Sequence, residues 1–230
     1  MSLKSVIDTQ LLYGDNFKIL KKQNVWNKIR IKKDGYTGYI KNNNFCKPVK
    51  ANFKVSALKA SLFSKPSYRN KLRKYLPYES RVRIMQKSGI FGKFDNCWIK
   101  ISDLKKINFR YKDVFKNIKL FKNIKYLWGG KSYKGIDCSA LVQIFFNHNN
   151  IYCPRDSRDQ EKYFKKRVKL KNIKKNDMIF WKGHVAIALS RKKLIHAYGP
   201  MKKVVIMDIN KTIERISRTA NLKVTSIRRI

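Results

Sequence analysis

The chain has 230 residues, of which 43% are hydrophobic and 13% aromatic. This excludes a disordered chain, whose apolar content cannot offset the entropy lost on folding. The 55 Lys plus Arg against 14 Asp plus Glu give a formal net charge of +41, a field that favours anionic partners. The basic residues run from Lys4 to Arg229 without forming a stripe, and Lys outnumbers Arg. With Asn-rich stretches such as Asn42-Asn43-Asn44 and Asn147-His148-Asn149-Asn150, this reads as an AT-rich coding bias ahead of nucleic-acid binding.

From Met1 to Leu20 no apolar run has the length of a secretory signal, since Asp8, Asp15 and Lys18 interrupt the hydrophobic positions. No later segment approaches the ~20 apolar residues of a membrane span, so the expected location is the cytoplasm, with no membrane partner. Cys46, Cys97, Cys138 and Cys153 show neither CxxC spacing nor a dense framework and read as free thiols. No ligand cluster supports a metal, and no cofactor is expected.

Between Ser5 and Phe45 short apolar runs alternate with turn residues: Leu11-Leu12-Tyr13-Gly14-Asp15, Phe17 to Leu20 and Trp26 to Ile31, then a hairpin turn at Asp34-Gly35 before Tyr36 to Ile40. This is a small β-barrel pattern, closed by a boundary near Pro48. A second strand set follows at 54–58, 62–63, 81–85, 90–94 and 98–101, with a basic insert from Ser67 to Leu76 read as a mobile loop. Both segments resemble bacterial SH3-like domains, through Leu12-Tyr13-Gly14-Asp15 and Asp34-Gly35-Tyr36-Thr37-Gly38-Tyr39-Ile40 in the first, and Ser64-Lys65-Pro66-Ser67 and Trp98-Ile99-Lys100 in the second. The expected division is 1–48 and 49–107 for two barrels and 108–230 for a third domain.

The chemistry-bearing signals fall between Tyr126 and Asp208. Tyr126-Leu127-Trp128-Gly129-Gly130 precedes Gly135-Ile136-Asp137-Cys138-Ser139-Ala140, after which Leu141, Val142, Phe145 and Phe146 recur on one helix face. Cys138 is thus predicted on the first turn of a helix, where main-chain N–H groups favour a thiolate and can receive an oxyanion. Cys46, Cys97 and Cys153 read as small buried hydrophobes. A thiol nucleophile needs a base. His184 opens the apolar run 185–189, His196 ends Leu194-Ile195-His196-Ala197, and the turn 190–193 makes these strands antiparallel, so the two imidazoles become neighbours. His148, in its polar stretch, reads as a solvated surface residue.

These blocks, with Pro154-Arg155-Asp156-Ser157, Gln160, Asn176 to Trp181 and Gly183 to Ile187, resemble the NlpC family of papain-like cysteine peptidases. Two positions depart from its pattern: Asn176 and Ala140 stand where glycine is usual. The resemblance implies an α+β chain, a papain-like domain preceded by two SH3-like barrels. It also implies Cys138 as nucleophile, His184 as base, His196 as the residue orienting His184, and Tyr126 lining the oxyanion side. Relatives of this architecture cleave between γ-D-glutamate and the following diamino acid in murein peptides with a free N-terminal L-alanine. The matching recognition positions are Asp137, Ser139, Asp156, Ser157 and Tyr36, with Asp8 as a second acid for the substrate ammonium. For Asp156 and Ser157 the alternative is a helix cap. Two other functions stay open at this point: a nucleic-acid or anionic-surface binding protein, against which the scattered lysines argue, and acyl-transfer or amidase chemistry on the same fold.

Overall fold

The Asp34-Gly35 turn closes as its residue types require. Gly35 takes a left-handed φ of +74° and its N–H reaches the Ile31 carbonyl at 2.9 Å, while the Tyr36 N–H donates to Asp34 Oδ1 at 3.0 Å. It joins β2 (Trp26–Ile31) to β3 (Thr37–Lys41), and β1 (Phe17–Lys21) completes an antiparallel meander in the order β1-β2-β3. Along β2 the side chains alternate, with Asn27, Ile29 and Ile31 buried. The structure, a computed structural model, describes residues 7–43 and 45–230; the readings that touch 1–6 and Asn44 lie outside it. These residues form two compact units, an N-terminal one of 8–110 with 148–150, and a C-terminal one of Ile7, 111–147 and 151–230.

The N-terminal unit continues with β4 (Phe53–Val55), β5 (Lys59–Phe63), β6 (Lys71–Pro77), β7 (Arg81–Val82), β8 (Gln86–Ser88), β9 (Phe91–Phe94), β10 (Cys97–Lys100) and β11 (Leu104–Lys106). They pair as a five-stranded sheet, β6-β5-β10-β9-β8, and a three-stranded one, β11-β4-β7, around Val55, Leu62, Leu76, Val82, Phe94, Ile99 and Leu104. Most of the basic insert at 67–76 is therefore ordered pairing and not a mobile loop. After a short 3-10 turn at Tyr68–Asn70, β6 pairs antiparallel with β5, Ala60 opposite Leu76, and Lys71, Arg73 and Lys74 are exposed along this edge strand.

His148 corrects the sequence reading. It is fully buried in this unit, stacked on Tyr78 with ring centroids 4.5 Å apart, and burial pushes its imidazole down to about 3. Its main-chain carbonyl accepts from the ammonium of Lys54, itself fully buried, which also donates to the Phe109 carbonyl at 2.6 Å. A cation there caps a carbonyl that a helix end leaves without a partner.

In the C-terminal unit β12 (Lys131–Ser132) and β13 (Gly135–Ile136) form a small hairpin that delivers the chain to α1 (Cys138–His148). Gly129, at φ +71°, precedes it; a Cβ there would lie 2.1 Å from the Ile7 carbonyl oxygen, so only glycine fits. The helix is buried on all sides, not on one face: Ala140, Gln143 and Ile144 are as inaccessible as Leu141, Val142, Phe145 and Phe146. Phe115, Phe121 and Phe164 pack on Phe145 and Phe146 at 4.9 to 6.0 Å between ring centroids. At about 1.5–3 kcal/mol per buried large apolar side chain, this packing and not helix propensity fixes α1.

Then come α2 (Ser157–Tyr163), β14 (Lys166–Arg167), β15 (Met178–Trp181), β16 (His184–Ala188), β17 (Lys193–Tyr198), β18 (Lys203–Asp208), α3 (Ile209–Ala220) and β19 (Ser226–Arg229). The strands make one antiparallel sheet in the order β14-β19-β15-β16-β17-β18. Asn176, just before β15, takes φ +72°, which explains why glycine suits that position and why asparagine replaces it; its amide also donates to Asp113 Oδ1 at 2.9 Å. Among the described residues, sheets with three α-helices make an α+β architecture, as expected.

Candidate active site

Cys138 is the first residue of α1 and only 6% exposed. The main-chain N–H groups of Ser139 and Val185 both reach its sulfur, which places the thiol against the start of β16. Burial nevertheless pushes the thiol up to about 12, the charge of Asp137 adds to this, and the two N–H groups and Arg155 only partly offset them. The N–H groups at the helix start do favour a thiolate, as the sequence leads one to expect, but desolvation outweighs them and the resting thiol stays protonated.

The antiparallel ladder of β16 and β17, with Ile187 opposite Ile195 and Ala188 opposite Leu194, puts His184 and His196 on one face of the sheet. Their rings meet as the strand argument expected, with His184 Nε2 2.9 Å from His196 Nδ1. Trp181 and Tyr198 wall the pair: Trp181 lies 5.6 Å from the His184 ring, and Tyr198 stacks nearly parallel on His196 at 4.6 Å. Burial lowers His184 to about 4 and His196 well below its usual 6.5, with the neighbouring His184 adding to the latter, so both rings are neutral near pH 7.

Tyr126 is half-buried before the Gly129-Gly130 turn, and its hydroxyl is pushed up to about 12 by burial and by the nearby Cys138 and Asp137. It therefore remains a hydrogen-bond donor at any working pH. Asp137 precedes α1 and accepts from the Ala140 N–H at 2.8 Å and the Gly129 N–H at 2.9 Å. Arg155 grips both of its oxygens, at 2.5 and 3.1 Å, and also reaches Ser139 Oγ at 2.9 Å. The Ser139 carbonyl accepts from Gln160 Nε2 at 2.9 Å. A fork-shaped guanidinium on a buried carboxylate is the strong, directional form of this pair. In the sequence Arg155 and Gln160 stand only as parts of a motif block; their partners at the start of α1 lie 16 to 21 residues away, a separation that leaves no local signal.

Asp156 is exposed at the N-cap of α2, yet its side chain makes no capping hydrogen bond, and Ser157 is buried as the helix's first residue. Tyr36 and Asp8 belong to the N-terminal unit, Tyr36 at the hairpin turn and Asp8 exposed before Thr9. Cys153 is buried as expected, while Cys46 is exposed and Cys97 partly so; all four cysteines are free. Among the described residues no group of three or more His, Cys, Asp or Glu is arranged to hold a metal, and no helix is long and apolar enough to cross a membrane.

Residues 123–220 match the NlpC/P60 family, and residues 3–45 match the bacterial dipeptidyl-peptidase SH3 domain. The gamma-D-glutamyl-L-lysine dipeptidyl-peptidase of Bacillus subtilis (strain 168) is 27% identical over 235 residues, 91% of this chain and 78% of that protein. Dipeptidyl-peptidase 6 of Lysinibacillus sphaericus is 39% identical over 72 residues, 31% of this chain and 27% of its own length. The crystal structure of an NlpC/P60 family protein from Bacillus cereus ATCC 10987 superposes with a TM-score of 0.78 over 96% of this chain and 81% of that one, at 23% identity, a likeness of fold. The chain therefore carries an NlpC/P60 cysteine peptidase domain that holds the thiol and the paired imidazoles, with a bacterial dipeptidyl-peptidase SH3 domain ahead of it.

Proposed function

We propose that this peptidase hydrolyses the γ-D-glutamyl-diamino acid bond of short murein peptides with a free N-terminal L-alanine. The reading rests above all on one observation: the 2.9 Å contact of His184 and His196 stands on the strand whose Val185 N–H faces the Cys138 sulfur. The relatives named for γ-D-glutamyl-L-lysine dipeptidyl-peptidase activity support the bond assigned. Cys138 is the nucleophile and His184 takes its proton as sulfur attacks the amide carbon, because a thiol held near 12 does not ionise beforehand. The developing oxyanion is received by main-chain N–H groups at the start of α1, with the Tyr126 hydroxyl beside them. His184 then returns the proton to the leaving amine, and water hydrolyses the thioester. His196 orients His184 throughout.

For the substrate ammonium the proposal favours Asp156 over Asp137, since both Asp137 oxygens are engaged by Arg155. Asp137 then shapes the nucleophile turn, together with Ser139, and Ser157 contributes a hydroxyl for the substrate carboxylate. Tyr36 and Asp8 remain proposed contacts from the N-terminal unit, and a division into barrels at 1–48 and 49–107 and a catalytic domain at 108–230 belongs to the same reading. The proposed setting is the cytoplasm, with released murein fragments as substrates. Incubation with L-Ala-γ-D-Glu-diaminopimelate, its lysine analogue and their N-acetylated forms, with products identified by mass, tests it. Release of L-Ala-D-Glu from the free peptides alone is the expected result; equal rates on blocked and free peptides, or efficient digestion of intact murein, would overturn it.

A further inference from the structure

The His184–His196 contact holds a single proton between two neutral rings, and its position decides whether His184 can act as a base. If His196 carries its proton on Nδ1, that proton fills the contact, His184 Nε2 becomes the acceptor, and the proton of His184 must sit on Nδ1, the nitrogen left for the thiol. If His196 carries it on Nε2 instead, His196 Nδ1 accepts from His184 Nε2–H, and His184 Nδ1 keeps its lone pair. Only the second arrangement supplies a base. The far side of the His196 ring selects between them. His196 Nε2 lies 3.5 Å from the sulfur of Met207, and a thioether has lone pairs and no proton, so it only accepts.

We propose that Met207, through its thioether sulfur, holds His196 in the Nε2–H form and thereby leaves His184 Nδ1 free to take the proton of Cys138. Met207 is a positioning residue, acting through His196 and not on the substrate, and its assignment rests on the catalytic reading above. The sheet register puts it there. On β17 and β18 His196 faces Val205 and Leu194 faces Met207, so Met207 is the diagonal neighbour of His196 on the same sheet face, within reach of a long unbranched side chain. His196 is fully buried, so no water replaces the sulfur as acceptor, and an Nε2–H facing an apolar side chain would be left unsatisfied. The methionine is also packed against the sheet core of Trp181, Tyr198 and Val205, which holds the sulfur in place.

The chain has three histidines, so ring nitrogen-15 spectra of the full chain labelled at histidine resolve every tautomer, with His148→Phe as the assignment control. In the unsubstituted protein His196 should appear protonated on Nε2 and bare on Nδ1. Met207→Leu keeps the volume and removes the acceptor; it should shift His196 toward the Nδ1–H form and lower kcat by about three- to tenfold with KM unchanged, the scale of one weak hydrogen bond. Met207→Gln restores an acceptor oxygen at similar length and should recover the Nε2–H signal and most of kcat. A wild-type His196 protonated on Nδ1, or a leucine variant with unchanged tautomer and kcat, overturns the proposal. If the leucine variant does not fold, the wild-type and glutamine spectra decide. Failure of the catalytic reading looks different: Cys138→Ala would retain activity while the His196 tautomer stayed as stated.

Discussion

Acidification from about pH 7.5 to 5 should destabilise this protein far more than its carboxylates alone would. All three histidines are held neutral by burial, His148 at about 3, His184 at about 4 and His196 well below the ordinary 6.5. The unfolded chain binds protons at these rings near 6.5, the folded one does not, so stability is complete above about pH 6.5 and falls as the pH drops toward the folded values. One histidine shifted from 6.5 to about 4 loses about 2 kcal/mol between pH 7.5 and 5, and three lose about 6 kcal/mol, against a typical total of about 5–15. Urea unfolding at several pH values, followed by tryptophan fluorescence, measures the proton uptake directly. Near pH 5.5 it should approach three protons, two for unfolding of the C-terminal unit and one for the N-terminal unit that contains His148. His148→Phe, which keeps an aromatic ring on Tyr78, should remove about one of them. Stability that stays flat to pH 5, or uptake below about one proton, would refute the claim that these rings are buried and neutral.

Cys138→Ala and Cys138→Ser should abolish hydrolysis with the fold intact by circular dichroism, whereas alanine at Cys46, Cys97 or Cys153 should leave turnover largely unchanged. His184→Ala should be nearly inactive, while His196→Asn or His196→Gln should retain some turnover because an amide oxygen still accepts from His184; equal, wild-type-like rates for both positions would sink the pairing. Asn176→Gly should cost little in thermal unfolding, but Asn176→Ala about 1–2 kcal/mol, since alanine must hold a left-handed φ and also loses the Asp113 hydrogen bond. Asp156→Asn should raise KM for the free peptide and narrow its advantage over the acetylated one, and an unchanged ratio would remove Asp156 from the ammonium site.

What the sequence disclosed and what it concealed divide along a physical line. The start of α1 at Cys138 was legible because a glycine-rich turn ends where apolar periodicity begins, and the histidine pair because strand alternation and a four-residue turn fix which side chains face each other. Both are local rules. The fate of His148 was not local: the Asn-rich run around it looks solvated, yet Lys54, Tyr78 and Phe109, remote in sequence, gather on 148–150. The strand at 71–77 was hidden for a related reason, since an edge strand carries the lysines that mark a loop in sequence and that protect an edge in a sheet. The ionisation of Cys138 failed to follow from its helix position because a dipole acts over one turn, whereas desolvation depends on everything packed around the sulfur. Asp137 joins the two cases: its place beside the cysteine is plain in the sequence, but Arg155, which occupies it, comes from across a buried helix. A carboxylate already held by a bidentate guanidinium has little left to offer an incoming ammonium, which is the reason the proposed function assigns that ammonium to the exposed carboxylate of Asp156 at the next helix start.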